Sequence, residues 1–193
     1  MLKNTIPYTR TIEIIRLIYG IIFVKGELGL IGEKDYLEAV YKMRHQLYYT
    51  AISILSDDQD AADAVQEAML KGWKNRRTLL DEKSFRSWFM KILVNQCRDI
   101  QRKNIRMRKN FENYLKERPN ENRPGDFESL TDALMLLPER LRLPTLLYYF
   151  DGYTQKEIAE IVGIDPEQVK SRIRQARMQM KKKMEKGDER FER

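Results

Sequence analysis

The sequence has few of the residues on which most catalytic and metal sites depend. It contains one cysteine, Cys97, and one histidine, His45, among 193 residues. One cysteine cannot form a disulfide within the chain, and a structural zinc site ordinarily needs several cysteines or histidines. A Ser-His-Asp triad would depend on His45, whose surroundings in the sequence do not suggest an activated serine, and there is no glycine-rich phosphate-binding loop. We therefore predict a protein that is not an enzyme and carries no metal ion.

Long hydrophobic runs are also missing. The most apolar stretch, residues 12–30, is interrupted by Arg16 and Lys25. Its longest uninterrupted run, residues 17–24, is far shorter than the ~20 residues that span a bilayer. No small-residue cleavage site typical of a signal peptide follows it. We interpret residues 1–33 as an N-terminal extension of unknown role and predict a cytoplasmic protein.

Positive charge exceeds negative charge, with 36 Lys and Arg residues against 29 Asp and Glu and a formal net charge of +7. An excess of this kind favours nucleic acid or another acidic surface as a partner. Net charge alone does not distinguish nucleic acid from another acidic surface, so the identity of the partner depends on where the basic residues lie.

Apolar residues recur at helical spacing along most of the chain beyond the extension. The spacing predicts a first helix over about 34–55. A second helix is capped by the segment 56–60 and extends to about Lys74, and a third covers 85–103 with Ser84 as its N-cap. Residues 109–128 contain two prolines, a glycine and few aliphatic side chains, which is typical of a linker.

These patterns predict an all-α chain of two small helical domains joined by a flexible linker, the C-terminal one containing a helix-turn-helix. The predicted parts after the extension are a first domain at 34–108, a linker at 109–126, a second domain at 127–187 and a charged tail at 188–193.

The helix-turn-helix is predicted from two caps around a short turn. In "TQKE", Thr154 and Glu157 can form a capping box, and in "DPEQ" Asp165 can cap a helix that has Pro166 at its first position. The "VGI" turn between the two helices contains Gly163. Just before this motif, Pro144 predicts a bend or break in the helix 138–150, because proline removes one amide donor.

The second helix of this motif has an apolar stripe at Val169, Ile173, Ala176 and Met180. A solvated polar face with a lysine-rich end that matches the helix dipole would explain "KKKMEK". It would not explain Ser171, Arg174 and Gln175 opposite the stripe, where this motif enters the major groove and Arg and Gln can donate to base edges. We predict DNA contacts from Lys170, Ser171, Arg172, Arg174, Gln175 and Arg177.

The second helix of the chain carries a mixed polar and apolar face. Asp63, Gln66, Glu67 and Leu70 lie opposite its alanine-rich stripe, and Trp73 borders Gln66. A leucine and a tryptophan in such a face are typical of a protein interface. The carboxylates could instead suggest a magnesium site, but acidic residues near a helix N-terminus are the more ordinary explanation.

The third helix carries a basic edge beside its apolar face. We predict that Phe85, Phe89, Ile92, Gln96 and Ile100 face the core. The edge consists of Trp88, Lys91, Asn95, Arg98 and Arg102. Core packing would account for Trp88 alone. An aromatic ring, an amide and several cations in one stripe also suit single-stranded nucleic acid, which combines base stacking with phosphate attraction.

Three segments, residues 60–73, 84–103 and 137–177, resemble the extracytoplasmic-function (ECF) sigma factors of the sigma-70 family. The most specific features are D-x-x-Q-E at 63–67 and V-K-S-R-x-x-x-A-R at 169–177, which occur together in the family's order. The resemblance implies a bacterial transcription initiation factor that binds core RNA polymerase and recognises the −35 and −10 promoter elements, without a cofactor. It identifies the first domain as sigma region 2 and the second as sigma region 4.

The resemblance also implies a role for each surface. Polymerase binding is assigned to Asp63, Gln66, Glu67 and Leu70. Recognition of the melted −10 element is assigned to the 76–88 loop with Phe85, Trp88, Lys91, Asn95, Arg98 and Arg102, and recognition of the double-stranded −35 element to the six residues of the helix-turn-helix. Family members are often held by an anti-sigma factor, which is a further expected partner.

Two other classes of protein remain as alternatives. One is a helix-turn-helix transcriptional regulator that does not bind core polymerase as a sigma factor, and the other is a metal-dependent nuclease. The promoter sequence, the regulon and the inducing signal do not follow from the resemblance.

Overall fold

The computed structural model describes residues 31–79, 81–112 and 130–191, and within them all regular structure is helical. The helices are α1 (Glu33–Leu55), α2 (Asp58–Asn75), α3 (Phe85–Glu112), α4 (Leu130–Met135), α5 (Glu139–Tyr149), α6 (Gln155–Val162) and α7 (Pro166–Phe191), with two short 3-10 turns (Arg76–Thr78 and Glu82–Ser84) between α2 and α3. The predicted all-α fold is confirmed. Most of the predicted extension and linker lies outside the described residues.

Helices α1, α2 and α3 pack on one another as the first domain. Fully buried residues from all three, such as Leu47, Ala64 and Leu93, form its core. Alanines on α2 allow its neighbours to approach closely, because they add little volume between the helices. Cys97 is completely buried there, and burial raises the pKa of its thiol to about 12. Its role is therefore packing, since a buried neutral thiol is unreactive.

Glycine at position 72 is required by an aromatic cluster. The Tyr36 hydroxyl is buried and donates a 2.7 Å hydrogen bond to the carbonyl of Met69. A Cβ atom at Gly72 would lie 2.7 Å from that hydroxyl and 2.8 Å from the ring of Phe89. The close approach of α2 to these rings explains a glycine inside a helix, where it costs roughly 0.5–1 kcal/mol relative to alanine.

We expect Gly72→Ala to lower the free energy of unfolding by about 1–3 kcal/mol, because overpacking outweighs the gain in helix propensity. Urea denaturation of the full chain measures the change. Lys71→Ala is the matched control, since Lys71 is the exposed neighbour on the same helix. If Gly72→Ala is as stable as the parent protein or more stable, the aromatic side chains can shift to accommodate the added methyl group.

The C-terminal end of α3 differs from the prediction. At its other end, residues 82–84 form a 3-10 turn directly before the helix, and the Asp81 side chain caps this turn by accepting from the Lys83 amide at 3.1 Å. The helix continues to Glu112, into the predicted linker. Residues 104–112 contain neither proline nor glycine, so nothing in the backbone ends the helix earlier.

The second domain is formed by α4 to α7 around a core that includes Leu141, Leu147, Ile158 and Val169. Helix α5 continues through Pro144, so the predicted break is absent. Just after it, the Thr145 hydroxyl donates to the Leu141 carbonyl at 2.7 Å.

Both predicted caps of the helix-turn-helix are confirmed. Thr154 accepts from the Glu157 amide, and the Glu157 carboxylate accepts from the Thr154 amide at 2.8 Å. Asp165 accepts from the Gln168 amide at 3.0 Å. Gly163 ends α6 with φ at 77°, a left-handed conformation that glycine adopts without strain.

The two domains touch each other. Helix α5 packs against α1, and α6 packs against α3. The Gln101 side chain crosses the interface and donates to the Glu139 carboxylate at 2.9 Å. Ile31 is also buried in the core, three residues before the predicted start of the first domain at 34. No helix of the described part is long and apolar enough to cross a membrane.

Candidate functional site

An open groove runs between α2 and α3 and has a volume of about 590 Å³. Its lining from α2 is Asp60, Asp63, Gln66, Glu67 and Leu70, and its lining from α3 is Gln96, Asp99, Ile100, Lys103 and Asn104. All four residues of the predicted protein interface therefore share one cavity. We call it the α2–α3 groove. Leu70 is 39% exposed at its edge, so the groove offers an apolar contact among its acidic groups.

The carboxylates of the groove are ordered by amides. Asp63 accepts from the Gln59 side chain at 3.0 Å, and Asp60 accepts from the Asn104 side chain at 2.7 Å. Within the described ranges, no group of three His, Cys, Asp or Glu residues is placed to hold a metal ion. Acidic side chains in an open groove are suited to basic groups on a protein partner, because such contacts steer and orient association.

One prediction about this region is wrong. Gln96 was predicted to face the core, but it is half-buried and lines the groove. Ile100 packs against the core as predicted and also lines the groove. The Trp73 ring packs at 5.4 Å against Tyr36 and lies under the guanidinium of Arg76 at 3.8 Å. Apolar residues lie on several sides of α3, so helical spacing identified Phe85 and Phe89 as buried but not the rest of the buried side. Among the side chains of residues 85–107, those completely buried are Phe89, Met90, Leu93, Val94 and Cys97.

The basic edge predicted on α3 lies on the surface of the first domain. Lys91, Asn95 and Arg102 are exposed and Trp88 is half-buried. Phe85 does not belong with them, since it is 5% exposed and packs against Tyr36 and Phe89. We therefore remove Phe85 from the predicted DNA contacts. We call the remaining residues Trp88, Lys91, Asn95, Arg98 and Arg102 the α3 stripe.

Part of the α3 stripe faces the second domain. Nη1 of Arg98 donates to the carbonyl of Val162 at 2.9 Å, and the Arg98 side chain is half-buried. A cavity of about 270 Å³ beside the stripe is lined by Thr78, Leu79, Asp81, Ser84, Ser87, Trp88, Lys91 and Glu160. Glu160 comes from α6. The other lining residues lie in the predicted 76–88 loop or in the α3 stripe. Sequence spacing did not indicate this contact, because the partners are far apart in the chain.

The outer face of α7 is exposed. Val169, Ile173, Ala176 and Met180 are buried as predicted. Ser171, Arg174 and Gln175 point away from them and are exposed, as are Lys170 and Arg177 at the margins.

Arg172 differs from the other residues predicted to contact the −35 element. It is half-buried and lines a cavity of about 210 Å³ with Arg98, Glu139, Arg140, Leu143, Pro144 and Val162. In this arrangement it lies beside α5 and Arg98 rather than on the exposed face of α7.

Comparison with protein families matches both domains. The model of sigma-70 region 2 matches residues 40–107, and the model of sigma-70 region 4 matches residues 127–180. The first corresponds to the domain with the α2–α3 groove and the second to the helix-turn-helix domain.

Curated relatives match most of the chain. RNA polymerase sigma factor SigV of Bacillus subtilis is 31% identical over 149 residues, which cover 75% of this chain and 88% of SigV. ECF RNA polymerase sigma factor SigM of Mycobacterium tuberculosis is 27% identical over 154 residues, covering 77% of each chain.

Solved structures share the fold. Sigma factor RpoE, in complex with the anti-sigma factor NepR from Bartonella quintana, matches with a TM-score of 0.66 and 24% identity, covering 79% of this chain and 98% of RpoE. CnrH, in complex with the cytosolic domain of CnrY, matches with a TM-score of 0.59 and 20% identity, covering 80% of this chain and 90% of CnrH. With the two region matches and the SigV relationship, the chain belongs to the sigma-70 family of RNA polymerase sigma factors, in its extracytoplasmic-function group.

Proposed function

We propose that this chain binds core RNA polymerase through the α2–α3 groove and directs promoter-specific initiation of transcription. The observation that carries the proposal is that Asp63, Gln66, Glu67 and Leu70 line one open groove on the domain that does not contain the helix-turn-helix. One chain thus offers a protein-binding surface and a separate DNA-binding helix, which is what a factor that brings polymerase to a promoter requires.

We assign the promoter elements to different helices. The outer face of α7, with Ser171, Arg174 and Gln175 exposed, suits base edges in the major groove of the −35 element. The α3 stripe combines an indole ring with amide and cationic groups, which suits the separated strand of the −10 element.

A helix-turn-helix regulator that does not bind polymerase is the less favoured alternative. It would use α7 in the same way but would leave the α2–α3 groove and the α3 stripe without a function. The relatives that match along both domains are themselves named sigma factors.

The proposal includes no catalytic step by this chain, since a sigma factor directs the chemistry of the polymerase. We place its action in the cytoplasm, where polymerase and promoter DNA meet. An anti-sigma factor is a further proposed partner, because the RpoE structure is a complex with an anti-sigma factor.

Transcription in vitro tests the proposal directly. Core polymerase that lacks any sigma factor is mixed with the full chain and a library of genomic fragments, and the transcripts are mapped. We expect discrete 5′ ends that require both the chain and the core enzyme. Binding of DNA without any such transcripts would favour the regulator, and loss of template that stops on addition of a chelator would favour a nuclease.

A further inference from the structure

The cavity that Arg172 lines brings together arginines from three helices. Arg98 of α3, Arg140 of α5 and Arg172 of α7 all line it, and its volume is about 210 Å³. The Arg98 and Arg172 side chains are half-buried, whereas Arg140 is exposed. Arg98 belongs to the first domain and the other two arginines belong to the second, so the cavity lies where the domains meet. We call it the arginine cavity.

Positive charge in the arginine cavity is only partly balanced. Of the described residues, Glu139 contributes the one carboxylate of the lining. This carboxylate accepts a 2.9 Å hydrogen bond from Nε2 of Gln101, and its charge opposes the effect of burial, which lowers the pKa of the Arg142 guanidinium. Within the described part of the chain, none of the three arginines of the cavity forms an ion pair. The cavity therefore carries an excess of two positive charges.

The arginines also have hydrogen-bond donors to spare. A guanidinium carries five N–H donors. Arg98 uses Nη1 to donate to the Val162 carbonyl at 2.9 Å. Among the described residues, the side chains of Arg140 and Arg172 form no hydrogen bond. Several donors from three helices can therefore bind an acceptor that has more than one oxygen.

The wall of the cavity strengthens electrostatic attraction. Leu143 and Pro144 are buried and apolar, so they replace water beside the guanidinium groups. Charges interact more strongly where protein partly replaces water. The three arginines therefore repel one another more in the cavity than on an open surface, and an anion between them would offset that repulsion.

We propose that the arginine cavity binds a phosphate or diphosphate ion. A planar guanidinium donates to two phosphate oxygens at once, which makes arginine well suited to this ligand. The excess of two positive charges matches an ion with two or more negative charges better than a phosphodiester, which carries one. The cavity is smaller than the roughly 300–1,000 Å³ pockets that hold drug-sized ligands, so a free ion fits better than a whole nucleotide. This site does not depend on the proposed function.

Calorimetric titration of the full chain with sodium pyrophosphate tests the site. The titration is made at constant ionic strength and without divalent metal ions, which would bind pyrophosphate themselves. We expect saturable binding of one ion per chain, and weaker binding of inorganic phosphate because it has fewer charges and oxygens. Pyrophosphate should also raise the unfolding temperature, because a ligand that binds only the folded chain stabilises it. Sodium chloride at the same ionic strength should not.

Two substitutions in the cavity should change the affinity in opposite directions. Arg140→Gln removes one positive charge and is expected to weaken pyrophosphate binding by at least about tenfold. Glu139→Gln removes the negative charge but keeps an oxygen that can accept from Gln101, and it is expected to strengthen binding several-fold. Arg106→Gln and Glu167→Gln make the same changes of net charge at exposed sites outside the cavity. Because these sites are exposed and screened by salt, they should change the affinity by less than about twofold.

The absence of saturable binding at millimolar pyrophosphate would overturn the proposal. An equal loss of affinity in Arg140→Gln and Arg106→Gln would also overturn it, because the ion would then respond only to the net charge of the protein. Thermal unfolding of each variant without ligand shows whether it is folded. Glu139→Gln gives an independent result, since its expected effect is a gain that a misfolded chain would not show. The transcription experiment decides the proposed function separately.

Discussion

Alanine in place of both Gln66 and Leu70 is expected to weaken binding to core RNA polymerase by at least about tenfold. Both side chains line the α2–α3 groove, and the exposed part of Leu70 is its apolar contact surface. Truncating a hot-spot side chain near the centre of an interface costs about 2 kcal/mol or more, and about 1.4 kcal/mol corresponds to a tenfold change in Kd. Two such losses in one small groove are therefore easily measured.

The fold should tolerate this double substitution. Gln66 is half-buried and Leu70 is exposed, so we expect the stability to change by no more than about 0.5 kcal/mol per site. Lys71→Ala is the matched control on the same helix, since Lys71 is exposed and does not line the groove. Equilibrium binding to labelled core polymerase, with thermal unfolding of each variant, makes the comparison. Parental affinity in the double variant would show that polymerase binds elsewhere.

Arg174→Ala is expected to flatten the preference at one or two positions of the −35 element. The Arg174 side chain is exposed at the centre of the face opposite Val169 and Ile173, which are buried. This position points a guanidinium at base edges when α7 lies in the major groove. A good base contact contributes ~1–3 kcal/mol of discrimination between the right and the wrong base. Removing it should therefore affect some −35 variants much more than others.

Arg177→Ala is the comparison, because Arg177 lies at the margin of the same face. A phosphate contact carries no base preference, so its loss should weaken binding to every variant and reduce the salt slope by about one unit. Binding of both variants to a set of single-base −35 changes, at two salt concentrations, distinguishes the two roles. A uniform loss in Arg174→Ala would mean that α7 docks in another register.

Features that depend on neighbours in the sequence were predictable. The capping box of Thr154 and Glu157, the Asp165 cap and the buried stripe that begins at Val169 all agree with the structure. Each depends on residues within about one or two helical turns, where spacing determines which groups can meet. The four groove residues of α2 were found for the same reason, as they share one face of one helix.

The orientation of α3 could not be predicted in this way. Helical spacing correctly assigned Phe85 and Phe89 to the core, but it also assigned Gln96 there, and the structure leaves Gln96 in the groove. Apolar side chains on several sides of a helix make more than one rotation compatible with its periodicity. Packing against α1, α2 and α6 decides among those rotations.

The sequence by itself therefore determined the helices, their caps, the helix-turn-helix and the family. Only the tertiary structure decided which parts of the two domains meet. Arg98 reaches Val162 across 64 positions of the chain, and Gln46 reaches Asp151 across 105. Such pairs leave no periodic signal, because the separation between them does not fix their distance in space. Their meeting depends on the packing of whole helices, and this packing brings Asp151 to Gln46 and the Arg98 guanidinium to Val162.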